Sequence, residues 1–484
     1  MRTKKKEHQL LTRRGFLTKG TLALAGISAA VLTERAETLL NSPRFVSNET
    51  DIVPVSRPDV MYDEMLQAGK DLLHKNTERQ MRNEREYTYV VPNRIRYNNY
   101  WHWDHQHTTI ISAFISPALA GKLIQTQDTI FQHDGVHGPQ IMYFNQSRYS
   151  PEYVGFLQTR ANEEGIDQLT QTPLSALALE IYAQKTADYA TVRKVLPSYA
   201  AHYAWLHDER VIDGDIGLPV VIDPRESLDA QPAVDFMYGR QIRNNLDFQQ
   251  LAARTLYHAR TNRYDARKLA HNDGFVMYDT CFLSYYVRSL FALRNLWKVT
   301  GNINQAKEWE DKGNKALSRF IDLCYSKDDG IFYNRRSNKN QELLKVKTAS
   351  GFYPLLCQLP RDIVERLVDT MVMPEQFVGN EGYLPFVAKH EQMYQEAVSP
   401  LWRGPGSPID PFVISYGLYT NGKPLLAERL LHAQFRMFID RFRVGAPFAE
   451  FFTPDKAYRD PYVWGIYPLC DPYGLVSEAK DIVV

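Results

Sequence analysis

Leu174-Ser-Ala-Leu-Ala-Leu-Glu-Ile-Tyr-Ala183 spaces its apolar residues for one face of a helix. The same period returns through residues 278–299, where Gly301 lies just past the end as a stop signal. It returns again through residues 363–372 and 423–442, while alternating, strand-like runs are few and short. Long aromatic loops separate these stretches. Many helices with such loops between them fit an all-α toroid of paired helices whose loops gather at one mouth. Periodicity by itself does not separate that architecture from another large all-α fold.

The N-terminus reads as an address. Residues 1–6 are basic, Thr12-Arg-Arg-Gly-Phe-Leu17 follows, and an apolar run fills residues 20–32. Paired arginines, Phe-Leu close behind and a short apolar core match a twin-arginine export signal over residues 1–32. The apolar core is shorter than the roughly 20 residues a membrane span needs. Ser28-Ala29-Ala30 offers a small-residue cleavage site, and without cleavage the segment becomes an anchor. A polar linker over residues 33–57 leads to a single domain over 58–484, since no Pro/Gly/Ser-rich seam or charge block divides the rest. The expected destination is periplasmic or extracellular, with the twin-arginine machinery as the export partner.

Residues 1–32 hold seven Lys or Arg against one Glu, a net of +6, so the whole chain's +1 leaves about −5 on the body. A mildly acidic body does not suit a nucleic-acid partner, which wants a basic face. Cys281, Cys324, Cys357 and Cys470 lie far apart with no CxxC pair, and read as small buried apolar residues.

Aromatic residues make up 12% of the chain, and many sit beside Asp, Arg, Gln or His. Sugars are recognised by this mixture, ring faces stacking on aromatic planes while hydroxyls meet planar polar groups. Tyr97-Asn-Asn-Tyr-Trp-His-Trp-Asp-His-Gln-His107 is the densest case. Trp101 and Trp103 are placed to line a pocket in which Asp104 accepts hydrogen bonds from two hydroxyls. His102, His105 and His107 invite a metal reading, but no second acidic or His cluster completes it. Two carboxylates complete the chemistry: Val220-Val-Ile-Asp-Pro-Arg-Glu-Ser-Leu-Asp-Ala-Gln-Pro232 and Ala449-Glu-Phe-Phe-Thr-Pro-Asp455 each set one in an apolar, proline-bounded stretch. Glycosidic bonds are cleaved by such a pair, one protonated acid and one ionised base.

Together these segments resemble glycoside hydrolase family 63, especially its smaller bacterial branch of mannosylglycerate and glucosylglycerate hydrolases. Tyr97…Trp101-His-Trp103-Asp104 is similar to the family's Trp-rich segment, and Leu169-Thr-Gln-Thr-Pro173 to its Thr-Gln-Pro-Pro element. Trp205-Leu-His-Asp-Glu-Arg and Asp213-Gly-Asp-Ile-Gly-Leu218 lead, as in the family, into Glu226-Ser-Leu-Asp-Ala-Gln-Pro232, which resembles Glu-Ser-Gly-x-Asp-Asn-Ser-Pro. Thr348-Ala-Ser-Gly-Phe-Tyr-Pro-Leu355 and Leu401-Trp-Arg-Gly-Pro405 continue the order.

The resemblance implies an (α/α)6 barrel and an inverting mechanism, with Asp229 as general acid, Glu450 as general base, and no metal or cofactor. It places Tyr97, Trp101, Asp104, Gln171, Trp402 and Gly404 around the sugar; Arg403 either pairs with Asp104 or faces the substrate. Glu226 either supplies negative charge that keeps Asp229 protonated or orients its neighbours. The acid motif has lost one residue and its Gly, and Ala230-Gln231 replaces Asn-Ser, so Asp223 and Asp235 stand as fallback acids. Leu401 replaces a Tyr. Small glucosides or mannosides are the expected substrates; a glycerate carboxylate would need a basic group such as Arg240, Arg243 or Lys389. The competing readings are a non-catalytic sugar-binding protein on the same barrel and a phosphorylase or lyase of the same toroid class.

Overall fold

Helix His102–Ile115 buries nearly every side chain it has, polar ones included, and only a helix with neighbours on all sides does so. Ser175–Thr186, Thr280–Val299 and Ile409–Thr420 share that character. So do the 3-10 segments Ala349–Leu356 and Val463–Leu469, whose residues are all buried. In the computed structural model these six pack in a closed ring. His102–Ile115 contacts Ser175–Thr186, which contacts Thr280–Val299, then Ala349–Leu356, Ile409–Thr420, Val463–Leu469, and His102–Ile115 again. The described residues are 59–144, 165–337, 341–373, 376–378, 383–396, 401–445, 448–453, 456–458 and 461–471. The expected export signal and linker lie outside them.

A second ring covers the first. Pro117–Thr129, Tyr189–Arg210, Ile303–Cys324 and Pro424–Arg443 each pack on the inner segment that precedes them, and Asp59–Asn76 closes on Val463–Leu469. Arg361–Val372 completes the set through the strand Ile331–Phe332, which lies on Ala349–Leu356. Outer helices are amphipathic because only one face has a partner: Ile303–Cys324 buries Ala306, Trp309, Gly313, Ala316, Phe320 and Leu323 at helical spacing. This double ring is the (α/α)6 toroid.

The inner segments run parallel, so their N-terminal ends share one rim, and contacts there confirm it. Trp103 N–H donates to Gln171 Oε1 at 3.0 Å. Thr280 Oγ1 lies 3.3 Å from Ser350 Oγ, and Tyr353 donates to Asp410 Oδ1 at 2.5 Å. Tyr462 donates to Asp104 Oδ1 at 2.6 Å. Six helical N-termini facing one mouth favour negative charge in it. All four cysteines are buried and free of disulfides. No helix among the described residues is long and apolar enough to cross a membrane.

Candidate active site

Asp104 enters the mouth from the first turn of helix His102–Ile115 and is buried. Burial pushes its carboxyl well above the usual carboxylate range; the Tyr462 hydroxyl pulls it down, while the charges of Glu450 and Asp229 push it further up. Both expected catalytic carboxylates therefore lie near Asp104. Glu450 is buried on the loop after helix Pro424–Arg443, just before the short strand Phe451–Phe452. Asp229 is half-buried, between the 3-10 turn Pro224–Glu226 and the helix Ala233–Tyr238. The chain thus brings together two carboxylates from distant loops beside a third on the inner ring.

Aromatic rings wall this cluster. Tyr97 meets Trp101 edge-on at 5.5 Å and Tyr462 at 5.7 Å. Trp103 meets Trp464 at 5.5 Å and Trp402 at 6.5 Å. Trp402 has φ of +61°, a conformation that strains so bulky a residue. Phe386 and Phe451 fix it there with edge-on contacts at 5.1 and 4.9 Å. Among the described residues the buried indole N–H groups of Trp101 and Trp464 have no acceptor, an uncommon state that suits them to a ligand.

Gln171 spends its side-chain oxygen on the Trp103 N–H, so it anchors the inner-helix N-terminus as well as lying near the mouth. Gly404 is required by packing: a Cβ there would come within 1.8 Å of the Gln395 carbonyl oxygen. Its own carbonyl accepts from Phe386 N at 2.9 Å.

Arg403 differs from both expected arrangements. It pairs with neither Asp104 nor an open pocket, but grips Asp235 through both terminal nitrogens and donates through Nε to the Ala230 carbonyl at 2.6 Å. That occupies Asp235 as a fallback acid. Asp223 is likewise taken, bound to Arg225 at 2.7 and 2.6 Å. Glu226 adds no free negative charge beside Asp229. Arg210 binds it through two hydrogen bonds of 2.8 and 2.7 Å, and the Ile222 and Thr170 N–H groups donate to it. Of the two roles left open for Glu226, it takes the orienting one.

The segment around Asp229 is held from both sides. Ser227 Oγ donates to Asp279 Oδ1 at 2.6 Å and Gln231 Nε2 donates to Asp279 Oδ2 at 2.7 Å. Asp279 also caps helix Thr280–Val299 through Phe282 N. Burial pushes the Asp279 carboxyl up, and these donors pull against it. Gln231 thus supplies a polar anchor two residues after Asp229.

The three histidines point apart. His102 faces Tyr100 and Gln106, His105 faces the Leu123 carbonyl, and His107 faces Tyr467. Among the described residues no group of His, Cys, Asp or Glu is arranged to hold a metal ion. Of the basic groups that could meet a glycerate, Arg240 lies 3.6 Å from Asp247, and Lys389 sits over the Tyr383 ring at 5.6 Å. Tyr462, Trp464 and Asp279 were not singled out from sequence. Asp279 had a readable signal, a helix-capping Asp just ahead of a long apolar period; Tyr462 and Trp464 had only their place in an aromatic-rich tail.

A crystal structure of the family 63 mannosylglycerate hydrolase from Thermus thermophilus, solved with Tris and D-glycerate, superposes with a TM-score of 0.69 at 19% identity. It covers 83% of this chain and 98% of that one. The neutral trehalase Nth1 of Saccharomyces cerevisiae superposes with a TM-score of 0.54 at 12% identity, over 87% of this chain and 79% of that one. These superpositions show a shared fold. An uncharacterized protein of Borreliella burgdorferi is 24% identical over 142 residues, a stretch spanning 29% of this chain and 29% of that relative. The family model for the mannosylglycerate hydrolase MGH1-like glycoside hydrolase domain matches residues 97–464, from Tyr97 through Asp229 and Glu450 to Trp464. The chain belongs to this family of glycoside hydrolase domains.

Proposed function

We propose that the chain is an exported, inverting α-glycoside hydrolase that releases glucose or mannose from a small glycoside. Asp229 acts as acid and Glu450 as base. One observation carries the reading: Asp104 feels the charge of both residues, so the pair shares a mouth walled by Trp101, Trp103, Trp402 and Trp464. In the reaction the Asp229 proton passes to the glycosidic oxygen as the C1–O bond breaks. Glu450 takes a proton from a water whose oxygen bonds to C1 from the opposite face, giving the β-anomer. Inverting pairs leave room for that water by standing roughly 6.5–9.5 Å apart. Asp104 and the free indole N–H groups are suited to the sugar hydroxyls. The anchored acid motif supports catalysis over sugar binding alone.

The Thermus relative was crystallised with D-glycerate, which makes mannosylglycerate and glucosylglycerate the leading small substrates. Reducing-sugar release from these two, with trehalose, kojibiose, nigerose and maltose beside them, tests the assignment. The anomer released is followed by NMR for wild type, Asp229→Ala and Glu450→Ala. Release of the β-anomer, lost in both variants, is expected; sugar binding without release from any substrate would overturn it. The export proposal rests on Arg13-Arg14, and substitution of both by Lys is expected to keep the chain in the cytoplasm on fractionation. Unchanged export would remove the twin-arginine route.

A further inference from the structure

Around Asp229 the hydrogen bonds have a fixed polarity. Asp279 is a buried carboxylate that only accepts, so the Gln231 amide must face it with Nε2, as it does at 2.7 Å. Gln231 Oε1 then accepts from Asn334 Nδ2 at 2.7 Å. Asn334 Oδ1 in turn accepts from the Thr280 N–H at 2.7 Å and from the Thr280 hydroxyl at 2.8 Å. The chain of bonds is one-way, ending in an N–H that only donates and an acceptor that only accepts. It starts and finishes on adjacent residues, 279 and 280, at the N-terminus of an inner helix. Its middle is the residue two positions after Asp229. Ser227, two positions before, is tied to the other Asp279 oxygen at 2.6 Å.

We infer that Asp279 is a positioning residue for the general acid. Resting on the hydrolase reading above, the inference assigns to Asp279 the task of aiming Asp229 at the glycosidic oxygen by clamping Ser227 and Gln231 on either side. A side-chain anchor thus holds the segment around Asp229 on both sides. A backbone anchor backs it, since Arg403 holds the Ala230 carbonyl.

Asp279→Asn is the discriminating change. Its oxygen still takes the Phe282 N–H and the Ser227 hydroxyl, so the helix cap survives. Its new amide nitrogen faces Gln231 Nε2, donor against donor. Turning Gln231 over only moves the conflict to Asn334. The double variant Asp279→Asn/Gln231→Glu restores a donor–acceptor match at both contacts, with the carboxylate moved to position 231.

A misaimed acid costs most where the leaving group needs a proton. The test therefore compares the glycoside of the panel that wild type cleaves best with the α-fluoride of the same sugar, α-D-glucosyl or α-D-mannosyl fluoride. Fluoride leaves with little protonic help. General acids contribute about 10²–10⁴-fold, so Asp279→Asn is expected to lose at least about tenfold in kcat/KM on the glycoside and under about threefold on the fluoride. The double variant should recover most of the loss, and the thermal midpoint of the single variant should stay near wild type. Gln231→Met, which leaves the cap untouched, should show the same split if Asp279→Asn folds poorly. Equal loss on both substrates, or no loss on either, would overturn the inference alone. Wild type inactive on both, or Asp229→Ala as active as wild type on the glycoside, would instead bring down the hydrolase reading and this inference with it.

Discussion

Arg403 grips Asp235 through both terminal nitrogens, at 2.6 and 2.5 Å, with side-chain exposures of 0% and 4%. The two are 168 residues apart in the chain, and the pair staples the segment before helix Ile409–Thr420 to the helix that follows Asp229. Removing one partner from such a pair leaves a buried charge unpaired, which costs roughly 3–5 kcal/mol. Arg403→Ala should therefore lower the urea midpoint by that order. Arg403→Lys should also lose activity, because an ammonium cannot hold both Asp235 oxygens and the Ala230 carbonyl in one plane. An Arg403→Lys enzyme with wild-type kinetics and stability would show that the fork geometry is irrelevant.

Gly404 and Gly214 make a matched pair of tests. A Cβ at Gly404 would lie 1.8 Å from the Gln395 carbonyl oxygen, a backbone atom that cannot swing away. At Gly214 a Cβ meets nothing within 4 Å. Overpacking a rigid site costs about 1–3 kcal/mol or more, so Gly404→Ala should lower the thermal midpoint by several degrees and reduce activity through Trp402 and Arg403. Gly214→Ala should do neither. Similar melting for the two variants would contradict the close approach at residue 404.

Much of the toroid was legible and much of the site was not, for one physical reason. Apolar period reports local burial, so residues 174–183, 278–299, 363–372 and 423–442 came out as helices close to Ser175–Thr186, Thr280–Val299, Arg361–Val372 and Pro424–Arg443. Ala349–Leu356 and Val463–Leu469 carry internal prolines and coil as 3-10 turns, so no 3.6 period marks them as inner-ring members. Motif order pointed to Asp104, Asp229 and Glu450. Which side chains pair with each other was invisible, because Arg403 with Asp235 and Tyr462 with Asp104 are long-range pairs that only the closed ring creates.

Asp104 should make the enzyme less stable as pH rises. Burial lifts its folded pKa above the unfolded value of 3.8, so the folded state holds the proton more tightly. The associated stability is present below about pH 4 and is lost as pH rises through the folded value. Asp104→Asn keeps an acceptor for Tyr462 and removes the titration. Its stability relative to wild type should therefore grow by on the order of 1 kcal/mol or more between about pH 4 and pH 7. Its activity should fall by only about 2–10-fold, the value of a neutral hydrogen bond to a hydroxyl, because the buried wild-type carboxyl holds its proton. A pH-independent stability difference would mean that Asp104 is ionised alike in both states.

His107 should act in the opposite direction. It is buried among Trp103, Tyr285, Trp464 and Tyr467, its Nε2 has no partner among the described residues, and burial lowers its pKa to about 3. The unfolded chain therefore takes up a proton near pH 6.5 that the folded chain refuses. Stability from the neutral ring is full above about pH 6.5 and is lost as pH falls toward the folded value, at up to about 1.4 kcal/mol per pH unit. His107→Gln removes the titration while keeping a polar group for the Tyr467 hydroxyl. Comparing wild type with this variant cancels the contribution of His102, His105 and His202, which burial depresses in the same sense. Urea midpoints taken near pH 7 and near pH 5 should show wild type losing about 2 kcal/mol relative to His107→Gln across that interval. No change in the difference would mean that the ring reaches solvent, or a proton acceptor, in the folded protein.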